Sequence, residues 1–205
     1  MKPRLFCDYD QCLFDTDCAI AEMMDGAKAA VGETKAKAAL EALNASGFSP
    51  ESFARELGLS EEVAEGYCES VRRRGRLYPG VSELFLALTD HYELVMVTYG
   101  NPSYQEVKLS SVGDFTNLFF DIHVVWKDKT KGEVVASYGE REGDVFLDDV
   151  PKHLLDVQAR APWVRCIRFV HPTSQTSAAH DGDGRLWPVV VSDTQQLNAL
   201  LAQGR

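Results

Sequence analysis

The chain has 205 residues, a formal net charge of −10 and a pI near 4.9. It carries no broad basic face, which argues against nucleic acid and anionic membranes as partners, although an acidic chain can still bind a small anionic substrate. Hydrophobic residues make up 45% of the chain and charged residues 25%, the ordinary composition of a globular protein with one sizeable core and room for a small subdomain.

Five cysteines are spaced irregularly and form no C-x-x-C pair, which argues against a zinc knuckle and a disulfide framework. The N-terminal stretch MKPRLFCDYD lacks the apolar segment of a signal peptide. No stretch of the sequence approaches the roughly 18 apolar residues of a membrane span. We therefore expect a cytoplasmic protein with reduced thiols, either a monomer or a homodimer.

The first predicted element is a short buried strand, RLFC, which ends at Asp8. Residues 17–76 then carry alanine-rich segments with apolar residues three and four positions apart, and Ser49 and Ser60 are candidate helix caps. This pattern predicts three or four helices and no strand. The stretch therefore looks like a helical insertion after the first strand.

After the turn signal YPGV, strands and helices alternate. The predicted strands are ELVMVTYGN, FFDIHVVW, DVFLDDV, VRCIRFV and WPVVVSD, and a polar loop at 171–185 comes before the last of them. This alternation predicts an α/β fold, a doubly wound, Rossmann-like parallel sheet with a small all-helical subdomain. We expect residues 1–16 and 77–205 to form the core and residues 17–76 the insertion.

Polar side chains follow the predicted strands at the edge of the sheet where ligands of such folds bind. Asp8 and Asp10 follow the first strand, Thr98 ends the second, and Asp148 and Asp149 end the fourth. Carboxylates crowded together repel one another and raise one another's pKa, unless a divalent cation lies among them. Carboxylate oxygens are ligands that favour Mg2+.

Three lysines, Lys127, Lys129 and Lys131, follow the third strand. A lysine at this edge of the sheet would neutralise further negative charge and could hold a phosphate group.

Taken in order, DYDQCLFD, VTYGN, the lysine loop and FLDDVP resemble the four motifs of the haloacid dehalogenase-like (HAD) hydrolase superfamily. The helical insertion resembles the cap that many members carry between motifs one and two, and YPGVSELFLAL resembles the segment that leads into motif two. The resemblance covers almost the whole chain. A lone D-x-D is a weak signal, but four motifs in order, each at the end of a predicted strand, are a specific one.

The resemblance implies a magnesium-dependent phosphatase that acts on a small phosphorylated metabolite, with the cap closing over the site. In such an enzyme Asp8 would be the nucleophile that becomes an aspartyl phosphate. Asp10 would be the general acid/base, and its backbone carbonyl would also bind the metal. Thr98 and the backbone N–H groups of Tyr99 and Gly100 would hold the transferring phosphoryl group.

The same resemblance assigns the remaining groups. Asp148 would bind Mg2+ directly, and Asp149 would support the metal directly or through water. Lys129 fits the family spacing best as the lysine that balances charge on the phosphate, Lys131 is the second choice, and Lys127 would simply end the strand.

Motif one departs from the usual pattern, since Gln11 and Cys12 stand where the family usually has Gly and then Thr or Val. Gln11 predicts a stiffer turn out of the strand. We interpret Cys12 as a small packing residue, although a thiol at this position could also be reactive near the metal. The run RRRGR at 72–76 is interpreted as a solvated helix end rather than a substrate contact.

Three alternatives remain open. A carbon–halogen hydrolase of the same superfamily is disfavoured by Asp10, because those members lack the acid/base aspartate. A phosphosugar mutase would use both aspartates of motif one and a helical cap. A non-catalytic binding protein could keep the fold, but the intact acidic and Thr motifs argue against it.

Overall fold

A parallel sheet forms the centre of the computed structural model, which describes residues 1–171, 190–191 and 194–203. Its strands are β1 Arg4–Cys7, β2 Glu93–Tyr99, β3 Asp121–Val125, β4 Val145–Asp148, β5 Arg165–Phe169 and β6 Val190–Val191. Their order across the sheet is β3-β2-β1-β4-β5-β6, and each neighbouring pair is parallel. The predicted α/β fold is confirmed. The strand order reverses at β1, where ligands of doubly wound sheets bind.

Helices connect the strands. They are α1 Thr16–Val31, α2 Glu33–Ser46, α3 Pro50–Leu57, α4 Glu61–Arg74, α5 Val81–Leu88, α6 Pro102–Ser110, α7 Lys131–Ser137, α8 Pro151–Arg160 and α9 Thr194–Gln203, with a short 3-10 helix at Gly113–Leu118. The first four confirm the predicted helical stretch after β1. No helix in the described ranges combines the length and the apolarity needed to cross a bilayer. The polar loop predicted at 171–185 lies, beyond His171, outside the described residues.

Helix α3 shows how local sequence sets a helix start. The hydroxyl of Ser49 accepts a hydrogen bond from the backbone N–H of Ser52 at 3.2 Å, and the Ser52 hydroxyl accepts one from the Ser49 N–H at 2.9 Å. This reciprocal cap, followed by Pro50, confirms the predicted start. Ser60 precedes α4 as predicted, but its side chain makes no capping hydrogen bond.

The chain divides into two compact units. The core unit comprises Met1–Asp15, Leu77–Tyr99 and Asp114–Arg205, and the helical unit comprises Thr16–Arg76 and Gly100–Gly113. The helical unit therefore contains the predicted insertion together with α6, a helix that follows β2 in sequence. The cap role of this unit stays a prediction.

Apolar side chains from the sheet, α7 and α8 form a hydrophobic core inside the core unit. Its central members are Phe6, Val97, Phe146, Val135 and Leu154, each at most 1% exposed. Because side chains two positions apart on a strand share a face, Phe6 and Phe146 define the face on which Asp8 and Asp148 also lie. Each such buried side chain contributes about 1.5–3 kcal/mol to folding. This packing fixes the strand ends that carry the candidate site.

Candidate active site

Asp8 and Asp148 are brought together by strand register. Cys7 pairs with Leu147 in the parallel ladder, and the backbone N–H of Asp8 donates a 2.9 Å hydrogen bond to the carbonyl of Leu147. Asp8 and Asp148, which follow Cys7 and Leu147, therefore lie side by side at the carboxyl edge of the sheet. Both carboxylates are buried, Asp8 to 4% exposure and Asp148 to 0%.

Lys131 lies between these two carboxylates. Its Nζ is 2.7 Å from Oδ1 of Asp8 and 2.7 Å from Oδ2 of Asp148, and its side chain is 1% exposed. The contact with Asp148 is a hydrogen bond. The contact with Asp8 has the distance of an ion pair but lacks hydrogen-bond geometry, so its contribution is electrostatic.

Lys131 replaces Lys129 as the lysine of the candidate site, which corrects the choice made from family spacing. Lys129 is exposed in the loop before α7. The Thr130 hydroxyl and the Glu133 carboxylate cap α7 reciprocally, so the helix starts at Lys131 and turns this side chain into the sheet edge. Lys127 is also exposed, and its ammonium lies 5.1 Å from the ring centroid of Trp126.

Burial and neighbouring charges shift the pKa values of Asp8, Asp148 and Lys131. Burial raises the pKa of Asp8 to about 6; the charges of Asp148 and Asp10 add to this effect, and the Lys131 ammonium opposes it. Burial would also raise the pKa of Asp148, but Lys131 and His153 outweigh it and hold that pKa below its usual value. The two carboxylates outweigh burial at Lys131 and raise its pKa well above the usual range.

Asp148 has both carboxylate oxygens engaged within the protein. Oδ1 accepts a 2.8 Å hydrogen bond from the backbone N–H of Val150, and Oδ2 accepts the bond from Lys131. Nδ1 of His153 lies 3.2 Å from Oδ2. Asp148 thus holds Lys131 in place, and direct metal binding by Asp148 stays a prediction.

Asp149, and not Asp148, lies with Asp8 in a group of residues that could hold a metal ion. One ligand atom from each of Asp8, Cys12 and Asp149 lies within 4.8 Å of the other two, and all three residues are buried. The carboxylates of Asp8 and Asp149 offer the oxygen ligands that Mg2+ prefers, so this pair fits the metal implied by the sequence. Arg168 Nε donates a 3.1 Å hydrogen bond to the backbone carbonyl of Asp149 and steadies it.

Asp10 lies in the turn after β1 and is partly exposed. Its charge is close enough to raise the pKa of Asp8, as expected for residues two apart beyond a strand end. It is not part of the group formed by Asp8, Cys12 and Asp149. Metal binding by the backbone carbonyl of Asp10 stays a prediction.

The turn between Asp8 and Cys12 depends on an unusual backbone conformation. Gln11 has a φ of +60°, in the left-handed region that glycine occupies at little cost. Its backbone N–H donates to the carbonyl of Phe14 at 2.9 Å, and its side-chain oxygen accepts a 2.9 Å hydrogen bond from the Tyr78 hydroxyl. Gln11 thus adopts the conformation for which the family usually uses Gly, and its side chain supports it.

Thr98 is the last residue of β2 but one, directly before Tyr99, and is fully buried. Its hydroxyl finds no hydrogen-bond partner among the described residues. A buried hydroxyl without a protein partner is costly, so this group fits one that binds a ligand. A Cβ atom added at Gly100 would lie 2.6 Å from Nε2 of Gln105, so no larger residue fits there without rearrangement.

His153 is a site residue that sequence reasoning missed, because the five histidines show no metal-ligand spacing. It lies in the first turn of α8, where a helix starting at Pro151 directs it toward Asp148. Its ring centroid is 6.0 Å from that of Tyr99, which is 45% exposed. The available signal was the position: a residue in the first turn of a helix that follows a strand-end aspartate.

Comparison with known proteins supports the fold. No family model matches the chain, and no curated protein matches its sequence. Solved structures do match over nearly the full length. A protein of Burkholderia xenovorans described as a haloacid dehalogenase-like hydrolase aligns with a TM-score of 0.77 and 14% identity, covering 100% of this chain and 99% of that one.

Two further structures match with similar coverage. The HAD hydrolase YfnB of Bacillus subtilis, bound to magnesium, gives a TM-score of 0.65 at 14% identity and covers 98% of this chain and 99% of that one. The L-2-haloacid dehalogenase of Xanthobacter autotrophicus, with chloropropionic acid covalently bound, gives 0.63 at 16% identity with the same coverage. The chain therefore has the fold of the haloacid dehalogenase-like hydrolases.

Proposed function

We propose that the protein is a magnesium-dependent phosphatase that hydrolyses a small phosphorylated metabolite through an aspartyl phosphate at Asp8. One observation carries this proposal: the buried Asp8 carboxylate has an ammonium 2.7 Å away on Lys131 and a second carboxylate, Asp149, within 4.8 Å. The nucleophile thus has a fixed cation beside it and would share a metal ion with Asp149. Phosphoryl transfer is catalysed mainly by such positioning and charge neutralisation.

In the first half-reaction, a carboxylate oxygen of Asp8 attacks phosphorus and the bond from phosphorus to the leaving oxygen breaks. Asp10 donates its proton to the leaving alcohol oxygen. In the second half-reaction, Asp10 takes a proton from water as the water oxygen attacks phosphorus. The bond between Asp8 and phosphorus then breaks, which releases inorganic phosphate and restores both aspartates.

Lys131 and Thr98 would bind the phosphoryl group during both steps. The ammonium of Lys131 is oriented by Asp148 and would offset the negative charge that builds up on the phosphoryl oxygens. The unpartnered hydroxyl of Thr98 would donate a hydrogen bond to one of them, and the N–H groups of Tyr99 and Gly100 would donate two more.

Asp8 and Asp149 would hold Mg2+. When bound, the ion neutralises the two carboxylates and polarises a phosphoryl oxygen, which removes the repulsion between an anionic nucleophile and an anionic substrate. A structural neighbour with this fold binds magnesium, which supports the assignment.

The test is phosphate release from p-nitrophenyl phosphate and from a panel of phosphorylated metabolites, with metal-stripped protein and added Mg2+. We expect release that requires Mg2+ and that is abolished in Asp8→Asn. The matched control is Asp128→Asn, which changes an exposed aspartate of the core unit and should keep the wild-type rate. A near wild-type rate in Asp8→Asn would contradict the proposal.

A second candidate is dehalogenation of a small haloacid, since a neighbour with this fold is a dehalogenase with a covalently bound acid. In that reaction the carbon–halogen bond breaks as Asp8 forms an ester, and water then attacks the carboxyl carbon of Asp8. A single turnover in heavy-oxygen water separates the two functions. Heavy oxygen in the released phosphate supports the phosphatase, and heavy oxygen in the Asp8 carboxylate supports the dehalogenase.

A further inference from the structure

Cys12 is a buried core residue that also belongs to the candidate metal site. Its sulfur is within 4.8 Å of ligand oxygens of both Asp8 and Asp149, and its side chain is 0% exposed. Its hydrogen-bond contact is a 3.9 Å approach to the carbonyl of Phe169, at the outer limit for sulfur. A packing residue does not need two carboxylates beside its sulfur.

The other buried cysteines show what packing looks like in this chain. Cys7 Sγ lies 3.8 Å from the carbonyl of Val95, and Cys166 Sγ lies 3.7 Å from that of Leu154. Among the described residues, neither belongs to a group that could hold a metal ion. Cys12 is the thiol that the fold places with two convergent carboxylates.

The turn that places Cys12 is fixed by the chain itself. The left-handed Gln11 reverses the backbone after β1, and the Tyr78 hydroxyl holds the Gln11 side chain. The residue after Gln11 is therefore directed back beside Asp8. A strained conformation that is held by a specific contact is often found at a functional site.

We propose that Cys12 is a third metal ligand, which makes this site bind thiophilic divalent ions such as Co2+ and Zn2+ through one sulfur and two carboxylate oxygens. The inference deepens the proposed function, on which it rests only in taking Asp8 and Asp149 as the metal-ligating pair. Thiolate ligands favour Zn2+ and related ions, whereas Mg2+ prefers oxygen.

The distances allow this coordination with small movements. Zinc lies about 2.3 Å from sulfur and about 2.0–2.2 Å from carboxylate oxygen, so ligand atoms in a tetrahedral site are about 3.5 Å apart. Side-chain shifts of about 1 Å would close the present group around an ion. On binding, the S–H bond of Cys12 breaks, the metal–sulfur bond forms and the proton passes to solvent, with no change of oxidation state.

The test uses cobalt as a spectroscopic probe. Metal-stripped wild-type protein is titrated with Co2+ while the near-ultraviolet spectrum is recorded, because a cobalt–thiolate bond gives a charge-transfer band there that carboxylate ligands do not give. We expect the band to saturate at one equivalent of Co2+. In Cys12→Ser and Cys12→Val the band should vanish, and the Kd for Co2+ should rise by about 10–100-fold.

Cys18→Ser is the matched control, since Cys18 is the one partly exposed cysteine of the chain and the obvious place for adventitious metal binding. It should keep both the band and the affinity. A band that is lost in Cys18→Ser, or that persists in the folded Cys12 variants, would overturn the proposal.

A second measurement does not depend on how the Cys12 variants fold. X-ray absorption of the zinc-loaded Cys18→Ser protein should show one sulfur neighbour at about 2.3 Å, and a zinc shell of oxygen and nitrogen alone would overturn the proposal. Mg2+-dependent phosphate release is measured on the same wild-type preparation. A cobalt–thiolate band without phosphate release refutes the phosphatase but keeps the thiolate site. Phosphate release without the band refutes the thiolate site but keeps the phosphatase.

Discussion

Ion pairs at two places in the chain, one in each unit, differ in how far they are buried. In the helical unit, charged side chains pair on the surface, as in Lys37 with Glu33, which are 60% and 62% exposed. In the core unit, Lys131 and its two carboxylate partners are at most 6% exposed. Exposed pairs contribute little to stability, whereas a buried charge is costly unless it is paired. This buried cluster of charged side chains therefore marks a position where a role in the site, rather than stability alone, accounts for the charges.

Two buried clusters of charged residues in the core unit differ in their balance of charge. Arg4 and Asp144, at the amino end of β1, form a balanced pair, in which both oxygens of Asp144 accept hydrogen bonds from Arg4. At the carboxyl end, three buried carboxylates, Asp8, Asp148 and Asp149, lie with two buried cations, Lys131 and Arg168. The first cluster is complete by itself. The second has an excess of negative charge that a divalent cation would neutralise.

The largest expected effect follows from removing the ammonium of the second cluster. Lys131→Met leaves two buried carboxylates without their partner, so we expect a loss of about 3–5 kcal/mol in the free energy of unfolding. The rate of phosphate release should fall by about 10²–10³-fold. Urea denaturation and the p-nitrophenyl phosphate assay measure the two quantities.

Lys129→Met is the matched control for this prediction, since Lys129 is exposed. It should change neither quantity. Equal losses in the two variants would contradict the assignment of Lys131.

Breaking the balanced cluster should separate stability from activity. Arg4→Met leaves Asp144 buried without its partner and removes the hydrogen bonds to the carbonyls of Tyr138 and Gly139. We expect a loss of about 3–5 kcal/mol in unfolding free energy, with kcat unchanged at temperatures where the variant stays folded. A fall in kcat without a fall in stability would show that the two clusters are coupled.

The stability of the metal-free protein should depend on pH through Asp8. Burial raises the pKa of Asp8 to about 6 in the folded chain, against about 3.9 in an unfolded one. The folded state therefore keeps this proton longer than the unfolded state, and the stability contributed by the protonated group is lost as pH rises from about 4 to about 6.

Asp8→Asn removes this loss. In chelator-treated samples at pH 8 the variant should be more stable than the wild type by about 2–3 kcal/mol, and the difference should shrink toward pH 4. Added Mg2+ should stabilise the wild type and not the variant. A difference that is constant between pH 4 and pH 8 would contradict a raised pKa for Asp8.

The smallest effects are expected in the helical unit. Ser49→Ala removes a reciprocal helix cap and should cost about 1 kcal/mol, measured as a lower urea midpoint. Lys37→Gln breaks an exposed pair and should leave the midpoint unchanged. An effect of Lys37→Gln as large as that of Ser49→Ala would weaken the contrast between the two units.

Sequence periodicity was sufficient for most of the fold. Strands that alternate with helices predicted the parallel sheet, and the helices of the insertion followed from their alanine content and from apolar residues three and four positions apart. Asp8 and Thr98 were found because polar residues at strand ends stand out against apolar strands. These features are local, and local patterns are what a single sequence encodes most directly.

The choice between neighbouring side chains required the structure. Lys129 and Lys131 are two positions apart, and only the helix start set by Thr130 shows which of them is buried. Asp148 and Asp149 are adjacent, and strand register directs Asp148 to Lys131 and leaves Asp149 beside Asp8. The position of Cys12 depends on the left-handed turn at Gln11. A family pattern with Gly at that position fits such a turn but does not show that the next side chain lies beside Asp8 and Asp149.

The most direct test of the central claim is detection of the phosphoryl group on Asp8. Asp10→Asn should slow the second half-reaction, while p-nitrophenol leaves without needing a general acid, so the intermediate should accumulate. Acid-quenched samples analysed by peptide mass spectrometry should show one phosphoryl group on Asp8, only when Mg2+ is present. Phosphate release with no phosphoryl group on Asp8, or with the group on another residue, would contradict the account.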